Sequence, residues 1–159
     1  MEKLFMLCGV PGVGKSTWTK QFPRHNVTVL STDDILDDLA KKYQLTYNQL
    51  FGDVSYSFAE KMMHNIAEQV FKRRDPFVVW DQTNLTPKSR MKKLLMVPGD
   101  YIKTAVVFNI PFDHQVRLQR RAENTGKNIP TEIMDRMLAS FERPTLQEGF
   151  NDIIEVTME

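Results

Sequence analysis

Gly9-Val10-Pro11-Gly12-Val13-Gly14-Lys15-Ser16-Thr17 is the stretch that decides the fold. Its spacing is G-x-x-x-x-G-K-[ST]. In that pattern glycines admit backbone conformations closed to other residues, so successive N–H groups can turn toward one polyphosphate. The motif asks for a strand before it and a helix after it, and the flanking sequence supplies both. Lys3–Cys8 is an apolar run, and Lys15–Phe22 carries a helical pattern whose positive N-terminal end adds to an anion site. Gly9, Gly12, Val13, Gly14, Lys15, Ser16 and Thr17 are therefore the expected cradle of ATP. Lys15 would reach the β- and γ-phosphates, and the Ser16 hydroxyl would ligate Mg²⁺.

Working outward, short apolar runs alternate with longer amphipathic stretches, the pattern of an α/β domain. Strands are expected at Lys3–Cys8, Val27–Ser31, Phe77–Asp81, Ile102–Ile110 and Ile153–Val156. Several are apolar throughout, as parallel strands covered on both faces should be. Helices are expected over Lys15–Phe22 and Asp33–Lys42, then up to Arg73, where Phe58, Met62, Ile66 and Val70 mark one buried face. Thr86 and Pro87 open another helix through Leu95. Asp113 caps one through Ala122, and Pro130 or Thr131 opens one through Phe141, with Gly126 between them. The expectation is one domain over residues 1–159, with a mostly parallel five-stranded sheet flanked by helices. Residues 113–130 would form a helical lid.

Composition narrows the partners. The chain has 159 residues, enough for one core, and is 42% hydrophobic and 26% charged, which excludes a disordered tail. No apolar run approaches the roughly 20 residues that cross a bilayer, so no membrane association is expected. With 21 basic against 20 acidic residues the formal charge is +1, unlike a protein that coats nucleic acid electrostatically. A local basic channel remains compatible with it. The single Cys8 lies in an apolar run, without a partner for a disulfide or a metal site. No signal-peptide layout precedes Gly9, and the expected compartment is the cytoplasm.

Residues at the carboxyl ends of parallel strands meet at the ligand crevice. The second strand runs into Ser31-Thr32-Asp33-Asp34, and Asp33 falls where it could take a proton from an attacking hydroxyl. Capping of the next helix is the competing reading for this pair of acids. The third strand ends at Asp81, placed to hold Mg²⁺ through water or to bond Ser16. Gln82-Thr83-Asn84 follows at the crevice rim. Arg117, Arg120 and Arg121 recur at three- and four-residue spacing, ahead of Asn124-Thr125-Gly126-Lys127. Arginines delivered by a lid are a usual means of offsetting charge on a transferred phosphoryl group. Lys88, Arg90, Lys92 and Lys93 form a second basic cluster, read as a solvated face or as a lining of the substrate opening. His25, His64 and His114 have no metal-ligand spacing, and no hydrolase triad is present.

Taken together, Gly9–Trp18, Asp33-Asp34, Val78–Pro87 and Arg117–Pro130 make the chain resemble the P-loop kinase domain of phage-type polynucleotide 5′-kinases. Asp81-Gln82-Thr83-Asn84, Lys127-Asn128-Ile129-Pro130 and Phe141-Glu142-Arg143-Pro144 are also similar to the kinase-like domain of heterogeneous nuclear ribonucleoprotein U. The first resemblance implies transfer of the ATP γ-phosphate to a 5′-hydroxyl of DNA or RNA. It implies Lys15 and Ser16 at the triphosphate and Mg²⁺, Asp33 as general base, Asp81 as the acid of the third strand, and Arg120 at a lid position. Two positions depart from the family. Leu36 replaces an arginine that contacts the acceptor phosphate, and Asn124 stands where the principal lid arginine falls. Arg120 or Arg121 would then take that role. Two further readings stay open: a small-molecule or mononucleotide kinase, and an ATP-regulated RNA-binding module with little catalysis.

Overall fold

Alternation along one strand builds the two halves of the core. In β1 (Lys3–Cys8), Leu4, Met6 and Cys8 face one way while Phe5 and Leu7 face the other, as a period of two requires. The computed structural model describes residues 1–44 and 53–159, with side chains described outside 53–56. β1 lies at the centre of a five-stranded sheet, with β2 (Thr28–Leu30), β3 (Phe77–Trp80), β4 (Ile102–Phe108) and β5 (Asp152–Val156) in the order β2-β3-β1-β4-β5. All pairings are parallel, with Leu4 opposite Val78 on one side and Lys103 on the other. The strands are one or two residues shorter at their carboxyl ends than the apolar runs suggest. β2 stops at Leu30, β3 at Trp80 and β4 at Phe108. Ser31 to Asp33 and Asp81 thus fall just past the carboxyl ends of β2 and β3.

Six α-helices cover the sheet: α1 (Lys15–Thr19), α2 (Thr32–Tyr43), α3 (Asp53–Lys72), α4 (Pro87–Leu94), α5 (His114–Thr125) and α6 (Thr131–Ser140) among the described residues. α1 ends at Thr19, short of the expected Phe22. On one face of the sheet Met63, Ala67, Val70 and Phe71 of α3 pack on Leu4, Met6 and Trp80. On the other, Trp18 of α1 and Met134 of α6 pack on Leu7, Val79 and Val106. Rings strengthen that second layer, with Phe5 5.6 Å from Trp18 and 5.3 Å from Phe77. Trp80 is 1% exposed, and truncating such a ring to alanine typically costs about 3–5 kcal/mol.

The buried stripe of α3 is not the expected one. Ala59, Met63, Ala67, Val70 and Phe71 are buried, while Phe58 is 52% and Ile66 40% exposed. A strict four-residue repeat drifts by about 40° per step around a 3.6-residue helix. Phe58, Met62, Ile66 and Val70 therefore spiral off the core, and only Val70 lands in it. The small Ala59 and Ala67 let the helix close onto its neighbours.

β1 is where the strand order reverses, since the chain goes from it to β2 on one side and later to β4 on the other. The crevice outside the carboxyl end of β1 is the ligand position of open α/β sheets. The Gly9–Ser16 loop sits there.

Candidate functional site

The loop after β1 is held open by two glycines. Gly12 has φ +84° and Gly14 φ +100°, left-handed values that side chains disfavour. Close approach enforces them as well. A Cβ on Gly12 would come 2.8 Å from Leu118 of α5, and one on Gly14 2.7 Å from Met158. Gly14 is also the residue before α1 and gives it no side-chain cap. The first N–H groups of α1 thus face the crevice without a side-chain acceptor, the arrangement that accepts anions. Val13 is buried beneath the loop, while Ser16 and Thr17 are exposed on the first turn.

Three distant segments brace this loop, none visible as a local signal. Gly9 N–H donates to the Thr83 carbonyl at 2.9 Å. His114 Nε2 donates to the Pro11 carbonyl at 2.8 Å. Arg117 Nη2 donates to the Met158 carbonyl at 2.7 Å, fixing the segment whose side chain covers Gly14. Arg117 Nε also lies 2.8 Å from Asp113 Oδ1. Its guanidinium is engaged on both sides.

Inside the loop Lys15 Nζ donates to the Gly9 carbonyl at 2.6 Å. Burial strips its ammonium of hydration and pushes it down to about 8, against the pull of Asp81 and Asp33. Asp81, just past β3, keeps its N–H on the Leu30 carbonyl at 2.7 Å. Burial pushes its carboxyl up to about 6. Lys15 opposes that rise, and Asp33 and Asp34 add to it. No hydrogen bond joins Asp81 to Ser16 among the described residues. No group of three or more His, Cys, Asp or Glu forms a metal cage among them either. One serine and one carboxylate beside a phosphate cradle suit Mg²⁺, which is usually bound by one or two protein ligands plus substrate phosphates.

Ser31 decides the question of capping at α2. Its hydroxyl accepts from Asp34 N–H at 3.3 Å, so neither aspartate is needed for the cap. Asp33 is left with a half-exposed carboxylate, 3.3 Å from Arg121 Nη2 of α5. Lys127 Nζ, just beyond α5, lies 3.0 Å from Asp37 Oδ2. The three arginines therefore separate. Arg121 meets α2, Arg117 meets the Met158 backbone, and Arg120 is exposed without an ion pair among the described residues. α5 runs to Thr125, three residues past the expected Ala122, and ends on Gly126 at φ +70°.

The loop after Asp81 is a hub. Asn84 is 1% exposed, and Asn84 Nδ2 donates to the Leu7 carbonyl at 2.7 Å. Its φ of +47° is tolerable for asparagine. Arg90 is fully buried, donates to the Asn84 carbonyl at 2.9 Å, and grips Glu148 through Nε at 2.7 Å and Nη2 at 3.2 Å. Lys93 Nζ bonds Asn84 Oδ1 and lies 5.9 Å from the Trp80 ring centroid. Burial pushes it down to about 8. The cluster read as a solvated face or as a lining of the substrate opening is thus split. Arg90 is structural, whereas Lys93, besides bonding Asn84, joins Lys88 and Lys92 in lining a cavity of about 380 Å³ between α3 and α4. No apolar spacing in the sequence announces that cavity.

No helix among the described residues is long and apolar enough to cross a membrane. The human heterogeneous nuclear ribonucleoprotein U-like protein 2 is 25% identical over 148 residues, covering 89% of this chain. The chain spans about 20% of the length of that relative and of its mouse counterpart. In structure it is similar to a chain of the Pnkp1/Rnl/Hen1 RNA repair complex, at TM-score 0.68 and 22% identity over 87% of this chain and 43% of that one. Chaetomium thermophilum Kti12, solved with ADP-AlF3, matches at TM-score 0.59 and 12% identity over 97% and 88%. The parallel sheet, the glycine loop and these neighbours define a P-loop kinase-like fold. Residues 4–144 match the AAA_33 family, described as an AAA domain, and the chain belongs to that family.

Proposed function

We propose that the protein is an ATP- and Mg²⁺-dependent kinase that transfers the γ-phosphate to a 5′-hydroxyl of DNA or RNA. The observation that carries this reading is the position of Asp33. Its carboxylate is released from capping by Ser31, shares the crevice with Lys15 and Asp81, and faces an arginine from α5. Such a carboxylate suits a general base for a hydroxyl. The likeness to a chain of an RNA repair complex and to a ribonucleoprotein relative supports a nucleic-acid acceptor.

In this reading Gly9, Gly12, Val13, Gly14 and Thr17 shape the cradle, and Lys15 moves from the Gly9 carbonyl to the β- and γ-phosphate oxygens. Ser16 and Asp81 would hold Mg²⁺, which when bound offsets phosphate charge. Asp33 takes the proton of the attacking 5′-hydroxyl as its oxygen forms a bond to the γ-phosphorus, while the bond to the β–γ bridging oxygen breaks. Residues 113–130 act as a lid. Arg121 exchanges Asp33 for the γ-phosphoryl oxygens, exposed Arg120 joins it there, and Arg117 anchors the lid to the nucleotide side of the loop. The charge passing through the transition state is spread over oxygens, which planar guanidinium groups match.

The test is transfer of labelled γ-phosphate, in Mg²⁺, to a short oligonucleotide bearing a 5′-hydroxyl. Label there, but not on the 5′-phosphorylated oligonucleotide or with Lys15→Ala protein, is the expected result. A second reading, a small-molecule or mononucleotide kinase, draws on Leu36. That side chain is fully buried beside Ala59, so α2 offers no cation there for a polymer backbone. Label on a metabolite or a 3′-mononucleotide, with oligonucleotides inert, would decide for it.

A further inference from the structure

Lys93 of α4 is a buried cation with no acid to pair it. Its Nζ bonds Asn84 Oδ1, lies 3.4 Å from Ser89 Oγ and stands 5.9 Å from the Trp80 ring centroid. All three partners are neutral. No carboxylate comes within ion-pair distance of Lys93 among the described residues, whereas Arg90, three residues earlier on the same helix, has Glu148.

An ammonium held by neutral groups alone gives up hydration without gaining an opposite charge, so its proton is loosely held. Burial accordingly pushes Lys93 down to about 8. Glu60 of α3 opposes that fall, although its carboxylate already accepts from Gln82 Nε2 at 3.0 Å. Lys15 and Arg90 add to it. The Cys8 thiol, which burial pushes up to about 12, is neutral at pH 7. His64, also from α3, turns to Glu68 at 3.0 Å on the exposed side of that helix. At pH 7 about a tenth of an amine near 8 is neutral, against less than about a thousandth of an ordinary lysine.

The amine lines the cavity of about 380 Å³ between α3 and α4, room for a small organic molecule. Trp80, Met63 and Met96 make the lining apolar, and the exposed Lys88 and Lys92 stand at its edge. Desolvation in an apolar pocket and neighbouring cations are the two settings that make lysine a nucleophile toward carbonyl carbon. The same cations favour a reactant that is itself an anion.

We propose that Lys93 is a site of covalent modification, an amine that captures small aldehydes bearing a carboxylate. Its nitrogen adds to the carbonyl carbon, and the carbonyl oxygen leaves as water with both hydrogens of the neutral amine, giving an imine. The step uses none of the crevice carboxylates, so it holds or fails apart from the kinase reading.

Glyoxylate with cyanoborohydride tests it on the full chain. The hydride reagent reduces the imine to a stable secondary amine, and peptide mass spectrometry compares the adduct at Lys93 with that at the exposed Lys72. At pH 7 the expected ratio is at least tenfold in favour of Lys93. From pH 7 to 9 the neutral share rises about tenfold for an amine near 8 and about a hundredfold for an ordinary one, so the ratio should fall severalfold. Acetaldehyde, which has no carboxylate, should prefer Lys93 at least threefold less than glyoxylate does. Lys88→Gln/Lys92→Gln should bring the glyoxylate ratio down to the acetaldehyde ratio. Adducts spread evenly over Lys93 and Lys72, or a ratio that stays constant with pH, would overturn the proposal. So would equal preferences for the two aldehydes, or a glyoxylate ratio untouched by the double substitution.

Discussion

Arg121 Nη2 on α5 lies 3.3 Å from Asp33 Oδ2 at the start of α2, 88 residues away in the chain. In the proposed reaction the pair joins the cation that would stabilise the transferred phosphoryl group to the carboxylate that would accept the proton. Lys127 and Asp37 repeat the link at 3.0 Å farther along the same two elements. Before ATP enters, each of these groups is held by the other. A bound triphosphate, with more negative charge than one carboxylate, is the stronger partner for Arg121.

Arg121→Ala should therefore lower kcat by about 10³-fold and leave the KM for ATP within about threefold. Arg121→Lys should recover little of the loss, because an ammonium cannot span two oxygens. Steady-state kinetics with saturating acceptor measure both. Unchanged kcat in Arg121→Ala would remove the arginine from the reaction.

Asp33→Asn should cost about 10²–10⁴-fold in kcat, the usual worth of a general base. The affinity for ATP should hold or rise, since Arg121 loses its competing anion. Equal losses of kcat and ATP affinity would make Asp33 a metal or structural residue.

Lys15 titrates near 8 because of its burial, while an arriving triphosphate returns it toward its usual value. At pH 7 the ammonium is already present, so ATP binding should take up about 0.1 proton at this group. At pH 9 the free protein holds it mostly neutral, and binding should take up close to one proton. ATP affinity should accordingly fall as pH rises through about 8. Calorimetry in buffers of different ionisation enthalpy reads the uptake directly, and equal uptake at both pH values would contradict the assignment.

Gly14→Ala combines a φ of +100° with a Cβ 2.7 Å from Met158. It should destabilise the fold by about 1–3 kcal/mol and weaken ATP binding more than tenfold. Adding Met158→Ala should not restore binding, because the left-handed backbone remains. Gly126→Ala provides the contrast. With φ +70° and nothing within 4 Å, it should cost about 1–2 kcal/mol and leave ATP affinity alone.

Arg90→Ala leaves the carboxylate of Glu148, now only 10% exposed, without its guanidinium. Burial works against the charge of Glu148, yet Arg90 and the Thr145 N–H hold its carboxyl below the usual range. Breaking such a pair costs about 3–5 kcal/mol, a fall in Tm on the order of 10 °C. Thermal melting in the absence of nucleotide checks it.

The phosphate loop was legible because its chemistry is local: Gly12, Gly14, Lys15 and Ser16 are set by spacing within one turn. The sheet was legible for a similar reason, since β1 and β4 are apolar runs whose parallel pairing needs both faces covered. Asp33 and Asp81 followed from strand ends. The parts missed depend on partners far along the chain. Arg117 looked like its neighbours Arg120 and Arg121, and only the Met158 carbonyl, 41 residues on, separates their roles. The stripe of α3 was misread because Ala59 and Ala67 fill two of its buried positions beside Met63, Val70 and Phe71, and the larger Phe58 and Ile66 made a four-residue repeat look like the core face. His114 has an acceptor, the Pro11 carbonyl, that no side-chain pattern encodes.

The seating of Met158 against Gly14 has a practical consequence for anyone handling the protein. An affinity tag or fusion partner joined after Glu159 would begin one residue from the floor of the phosphate loop and crowd the Arg117 anchor. Met1, 89% exposed ahead of β1, leaves at the opposite end of the sheet and is the place to attach one.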